Sequence, residues 1–158
     1  MLVATWNVNS IRSRIDLVQE WLIANEVDIL CLQETKTEDI SFPIEVFSKL
    51  GYHVSISGQK SYNGVAIISK FPINDIKIGF DQVISIHKDL SILNQQKRII
   101  SAVINDIRII NVYVPNGSSI NSDKFIYKEK WIECLQVYLR EINSNHTPIC
   151  LLGDFNIA

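Results

Sequence analysis

The chain has 158 residues, 47% of them hydrophobic and 20% charged, a composition that fits one globular unit and excludes a disordered or low-complexity chain. The 15 Lys and Arg against 17 Asp and Glu leave a formal net charge of −2, so whole-molecule attraction to nucleic acid is excluded while a local basic surface is not. No apolar run reaches the ~18 to 20 residues of a membrane span, and Met1-Leu2-Val3 enters a strand pattern without the basic and apolar regions of a signal peptide, so the expected location is cytoplasmic, away from membranes.

Leu2 to Val8 reads as a strand. Ser10 is placed to cap a helix whose apolar positions Ile11, Ile15, Val18 and Leu22 recur at spacings of four, three and four. Asp28 to Gln33 follows as a buried strand, giving a strand, helix, strand unit that favours a parallel pair. A short helix opened by Pro43 and closed by Gly51 precedes a run of antiparallel strands at Tyr52–Ser57, Val65–Ser69, Ile73–Ile78 and Ile99–Ile104. Asn105-Asp106 marks a hairpin turn into Ile107–Val114. Asn121 or Ser122 starts a long helix carrying Tyr127, Trp131, Leu135, Tyr138 and Ile142 on one face, ended by Asn145 and Pro148. Ile149-Cys150-Leu151-Leu152 is the last apolar run, and no linker or repeat divides residues 1–158. Cys31, Cys134 and Cys150 lack a CxxC pair and read as packed, reduced thiols; His53, His87 and His146 show no metal-ligand spacing and take no role.

Polar side chains gather at the strand ends, where α/β sheets build their active sites. Glu34 directly follows Ile29–Gln33. A carboxylate there is costly to desolvate unless a cation or donor meets it, which suits a magnesium-type metal or, alternatively, a cap or salt bridge to a nearby loop. Asp154 and Asn156 end the last strand, and a carboxylate one residue from a carboxamide suits a base that takes a proton from water while the amide holds an oxygen; alone, Asp-x-Asn also describes a turn. Taken singly, Tyr113 reads as an interface or core residue with its hydroxyl satisfied, Asn116 takes the same structural reading, and Arg98 reads as surface decoration or a phosphate contact.

The ordered set Thr5-Trp6-Asn7-Val8-Asn9-Ser10-Ile11-Arg12, Asp28-Ile29-Leu30-Cys31-Leu32-Gln33-Glu34-Thr35-Lys36, Tyr62-Asn63-Gly64-Val65-Ala66-Ile67, Asn111-Val112-Tyr113-Val114-Pro115-Asn116-Gly117 and Leu152-Gly153-Asp154-Phe155-Asn156 resembles the exonuclease III family of abasic-site endonucleases. The resemblance implies a four-layered α/β sandwich, two β-sheets face to face with helices outside, and cleavage of double-stranded DNA with Mg2+ or Mn2+. It implies action 5′ to abasic sites, with 3′-5′ exonuclease and 3′-phosphodiesterase activity on damaged 3′ ends. By matching position Glu34 is a metal ligand and Asn7 lies in the metal and phosphate network. Tyr113 contacts the scissile phosphate or its water, Asp154 orients or deprotonates that water, Asn156 helps to hold it, and Arg98 and Asn116 bind substrate.

The match departs at Gln95-Gln96-Lys97, where many members carry an acidic residue and glycine before the arginine. Family members also continue into further strands, an aromatic pocket, another aspartate and a late Ser-Asp-His element. Residues 1–158 are therefore expected to be a single incomplete domain, the amino-terminal part of the fold, weak or inactive alone. The alternative is a non-catalytic remnant or half-domain that requires a complementary carboxyl-terminal fragment or self-association.

Overall fold

Period-two alternation along each strand sorts the chain into layers. The computed structural model describes residues 1–80, 90–143 and 147–157, so His87, His146 and the expected helix stop at Asn145 lie outside the described residues. The elements run β1 (Val3–Asn7), α1 (Ile15–Asn25), β2 (Ile29–Gln33), α2 (Ile44–Lys49), β3 (His53–Ser57), β4 (Val65–Ser69), β5 (Asn74–Ile78), α3 (Leu90–Gln95), β6 (Ile99–Ile104), β7 (Ile107–Tyr113), α4 (Asp123–Asn143) and β8 (Ile149–Asp154). One sheet has the order β1-β2-β4-β3 and the other β5-β6-β7-β8.

In β2, Ile29 and Cys31 face the second sheet while Leu30 and Leu32 face the helices, so the whole strand is buried without breaking its alternation. Between the sheets, Ile29, Cys31, Val65 and Ile67 meet Ile100, Ala102, Ile104 and Ile109. Outside the first sheet, α1 and α2 cover Leu30, Leu32, Ala66 and Ile68 with Val18, Leu22 and Phe47. Outside the second, Trp131, Leu135, Tyr138 and Ile142 of α4 cover Ile110 and Val112. The result is the four-layered α/β sandwich. Each large apolar side chain buried this way contributes roughly 1.5–3 kcal/mol against leaving it in water.

Both βαβ connections give parallel pairs, β1 with β2 across α1 and β7 with β8 across α4. The remaining neighbours are antiparallel. Ser122 starts α4 as expected, its Oγ accepting the Phe125 N–H at 3.2 Å. The first helix differs from the expectation: it begins at Ile15, not after Ser10. Asn9 and Ser10 have φ of 42° and 90°, and the N–H groups of Ser10 and Ile11 donate to Glu34 O and Thr35 O at 2.7 and 3.1 Å, so this segment is committed to the loop after β2. The six-residue α3 was not anticipated, being too short to show helical periodicity.

Candidate active site

The carboxyl ends of β1, β2, β7 and β8 meet because the parallel pairs are in register: Asn7 lies opposite Gln33, and Tyr113 opposite Asp154. The Asn7 amide nitrogen stands between two carboxylates, donating to Glu34 Oε1 and to Asp154 Oδ2, each at 2.8 Å. Its Oδ1 accepts the Asn9 N–H at 3.1 Å. A backbone N–H can only donate, so the oxygen must lie on that side and the nitrogen must face the acids. Asn7 is thus a donor bridge in this geometry, its oxygen turned from the acids. Tyr113 OH also donates to Glu34 Oε1, at 2.8 Å, and Lys36 Nζ lies 2.9 Å from Glu34 Oε2.

Burial pushes the Glu34 carboxyl up, but the hydrogen bonds from Asn7, Lys36 and Tyr113 and the lysine charge outweigh it, so its pKa falls below the ordinary value. The Tyr113 hydroxyl is shifted up by burial and by the Glu34 carboxylate it serves, against a smaller opposing effect of Arg98. Arg98 stacks on Tyr113 with its guanidinium carbon 4.5 Å from the ring centroid and donates to Gln96 Oε1 at 2.7 Å and to Tyr113 O at 3.3 Å. Burial lowers its pKa.

Asp154 is held at both ends, its Oδ1 accepting the Asn156 N–H at 3.0 Å and its backbone oxygen accepting the Val114 N–H at 2.8 Å. Gly153 makes that approach possible. Its φ is 142°, and a Cβ there would sit 1.9 Å from Val112 O. Asn156 donates its amide to Val114 O at 2.7 Å and receives Lys128 Nζ on its backbone oxygen at 2.8 Å. An open cleft of about 600 Å³ has Asn7, Asp154, Asn156 and Asn116 on its walls. A second, of about 380 Å³, lies along Arg98, Tyr113, Asn116 and Lys124.

Of the residues singled out from sequence, Asn7, Glu34, Tyr113 and Asp154 form one hydrogen-bonded cluster. Asn156 adjoins it through Asp154, and Arg98 supports it from behind Tyr113. Asn116 stands at the rim, its Oδ1 accepting the Ser118 N–H at 3.0 Å. Sequence reasoning gave no role to Lys36, Gln33 or Asn111. Gln33 and Asn111 looked like ordinary strand residues, and the signal that would have found them is a polar side chain at an inward position of an otherwise apolar strand.

The donor set is hard and oxygen-rich, with two carboxylates and no histidine or thiol. Among the described residues no three His, Cys, Asp or Glu side chains converge. These groups fit a cation of the magnesium type, which takes one or two carboxylates and fills its other positions with water and substrate oxygens.

Residues 4–158 match the Endonuclease/Exonuclease/phosphatase family. Exodeoxyribonuclease III of Haemophilus influenzae is 35% identical, the match covering 100% of this chain and 58% of that protein. An AP endonuclease from Archaeoglobus fulgidus has the same fold at a TM-score of 0.89 with 43% identity, again over 100% of this chain and 58% of that one. A 3′ phosphatase from Neisseria, solved with a product DNA hairpin, superposes at a TM-score of 0.88 with 40% identity over 99% of this chain and 58% of its own. The chain thus spans well under two thirds of the length of these relatives.

Proposed function

The chain belongs to the endonuclease/exonuclease/phosphatase family, and on that premise we propose that its strand-end cluster hydrolyses DNA phosphodiesters in repair. The reaction is cleavage 5′ to abasic sites, with 3′-5′ exonuclease and 3′-phosphodiesterase activity. The observation that carries this reading is the Asn7 amide bridging Glu34 and Asp154 with Tyr113 on the same carboxylate. The reading places the reaction in the cytoplasm, and among the described residues no helix is long and apolar enough to cross a membrane.

Glu34, with Asn7 beside it, would hold the Mg2+ or Mn2+, which when bound supplies positive charge to the non-bridging phosphate oxygens. Asp154 takes the proton from the attacking water. Its Oδ2 faces Asn7 and its Oδ1 faces the Asn156 N–H, so the carboxylate is fixed while it works. The Tyr113 hydroxyl, held protonated, donates its one proton to Glu34 Oε1 here and would turn it to a phosphate oxygen as charge develops there. Arg98 keeps the Tyr113 ring in place and, with Asn116 along the second cleft, offers the DNA backbone a cation and an amide. The test is the purified chain on abasic duplex DNA with Mg2+, with and without chelator, beside Glu34→Ala. Metal-dependent incision lost by about 100-fold or more in Glu34→Ala is expected. No metal-dependent incision would remove the activity from this chain.

A second reading has its own observation. Among the described residues β1 and β8 are each paired on one side alone, and they lie against each other at the same margin of the sandwich. Apart from the exposed Thr5, their residues are half-buried, unlike the wholly buried β2 and β4. On this reading residues 1–158 form an incomplete domain, and a separate carboxyl-terminal piece or a second copy supplies strands to both edges. Sedimentation of the chain alone, and nuclease activity gained on co-expression with the carboxyl-terminal part of a relative, separate this half-domain from a monomer complete in itself.

A further inference from the structure

We infer that Lys36 is a resident counter-cation of Glu34, a positioning residue whose ammonium holds the carboxylate in place and must be displaced from Oε2 by a divalent cation. The inference rests on the metal-binding reading of Glu34 given above.

The geometry is built into the backbone. Glu34 and Lys36 both have φ of 52°, and the loops facing them hold further left-handed residues, Asn9 and Ser10 on one side and Asn63 and Gly64 on the other. Non-glycine residues persist there only when their surroundings enforce it. The enforcement is visible: Ser10 N–H donates to Glu34 O at 2.7 Å, Lys36 N–H to Asn63 O at 2.9 Å and Thr35 N–H to Gly64 O at 3.2 Å. In an extended strand Glu34 and Lys36 would simply share a face. Here the two left-handed turns fold the lysine back onto the carboxylate.

Lys36 Nζ lies 2.9 Å from Glu34 Oε2 and also donates to Asn9 Oδ1. The other carboxylate oxygen, Oε1, is already occupied by donors from Asn7 and Tyr113, each at 2.8 Å. Oε2 is therefore the oxygen open to exchange, and its partner is an ammonium on a side chain that is 29% exposed. A divalent ion that takes Oε2 meets the ammonium as a competitor. Asn9 gives the released ammonium a second acceptor, so displacement does not leave it unpaired.

The 158-residue chain is titrated with Mn2+, with free Mn2+ followed by electron paramagnetic resonance, in wild type, Glu34→Gln, Lys36→Met and Lys36→Arg. The expected result is binding that Glu34→Gln weakens and Lys36→Met tightens by about two- to fivefold, the effect of one partly exposed ion pair. Lys36→Arg keeps the positive charge at the carboxylate and does not tighten binding. Binding that depends on Glu34 but is unchanged or weakened in Lys36→Met overturns this inference and leaves the metal-binding reading standing. No Mn2+ bound by any of the chains, or binding indifferent to Glu34→Gln, overturns both.

Discussion

Gln33 Nε2 donates to Asn111 Oδ1 at 2.7 Å, and this bond joins the two sheets one residue before Glu34 and two before Tyr113. Asn111 Nδ2 in turn donates to Leu32 O and Ala66 O, each at 2.9 Å, so one carboxamide binds the backbones of β2 and β4 from the opposite sheet. Both side chains are essentially inaccessible to water. A satisfied polar network in a low-dielectric interior fixes one arrangement of its partners, because any slip leaves groups unpaired. The separation of Glu34 from Tyr113 is set here, beneath the cluster.

Asn111→Leu keeps the branching of the side chain and removes the bonds, leaving Gln33 without its acceptor across the sheets. The expected loss is about 2–4 kcal/mol in urea unfolding. In the double variant Gln33→Leu with Asn111→Leu, the loss is less than the sum of the single losses by at least about 0.5 kcal/mol. Strict additivity would mean that the bond contributes no coupling between the sheets.

Gly153→Ala tests the close approach of β8 to β7. The added Cβ would meet Val112 O at 1.9 Å in a backbone with φ of 142°, so the strand must move. Asp154 is the next residue, and its backbone oxygen accepts from Val114. A fall in the thermal midpoint of about 5 °C or more is expected, together with loss of protection from hydrogen exchange at the Val114 amide. An unchanged midpoint would show that β8 has room that the geometry denies.

Much of this was legible in the sequence because hydrophobic periodicity is local. The apolar run Ile29–Gln33 and the spacing of Trp131, Leu135, Tyr138 and Ile142 gave strands and helices, and Glu34 and Asp154 stood out at strand ends. The four layers and the roles of Asn7, Tyr113, Asn116 and Arg98 came instead from the resemblance of the ordered motifs. What was not legible depends on long-range contact. The start of α1 is displaced to Ile15 because Ser10 and Ile11 bond the loop after β2, which no window around Ser10 reveals. The orientation of the Asn7 amide is decided by Asn9 and by two acids from distant strands. Lys36 was passed over because strand alternation carries no information once φ turns positive at Glu34.

Acid stability follows from two carboxyls. Glu34 is raised by burial but lowered more by Asn7, Lys36 and Tyr113, and Asp75 is lowered chiefly by its hydrogen bond from Arg108. A carboxyl depressed in the folded state stabilises the fold above its unfolded pKa, and that contribution is lost as pH falls through the folded value. The window opens below the ordinary values of 4.5 for Glu and 3.8 for Asp. Urea unfolding across this range should show a shallower decline in Glu34→Gln and in Asp75→Asn than in wild type. A parallel decline in all three chains would remove both groups as its source.

Tyr113 predicts the opposite limb. Burial and the Glu34 carboxylate hold its pKa above the ordinary 10.0, with Arg98 acting in the other direction. A phenol raised on folding stabilises the fold below its unfolded pKa, and that stability is lost as pH rises through the folded value. Phenolate absorbance, taken as the difference between each chain and its Tyr113→Phe counterpart, isolates this hydroxyl from the other tyrosines. Glu34→Gln removes a negative neighbour and should bring the Tyr113 midpoint down. Arg98→Met removes the cation 4.5 Å from its ring and should push the midpoint further up. Shifts of the same sign in both variants would mean that solvent access, changed by either substitution, governs Tyr113 more than the charges on its two sides.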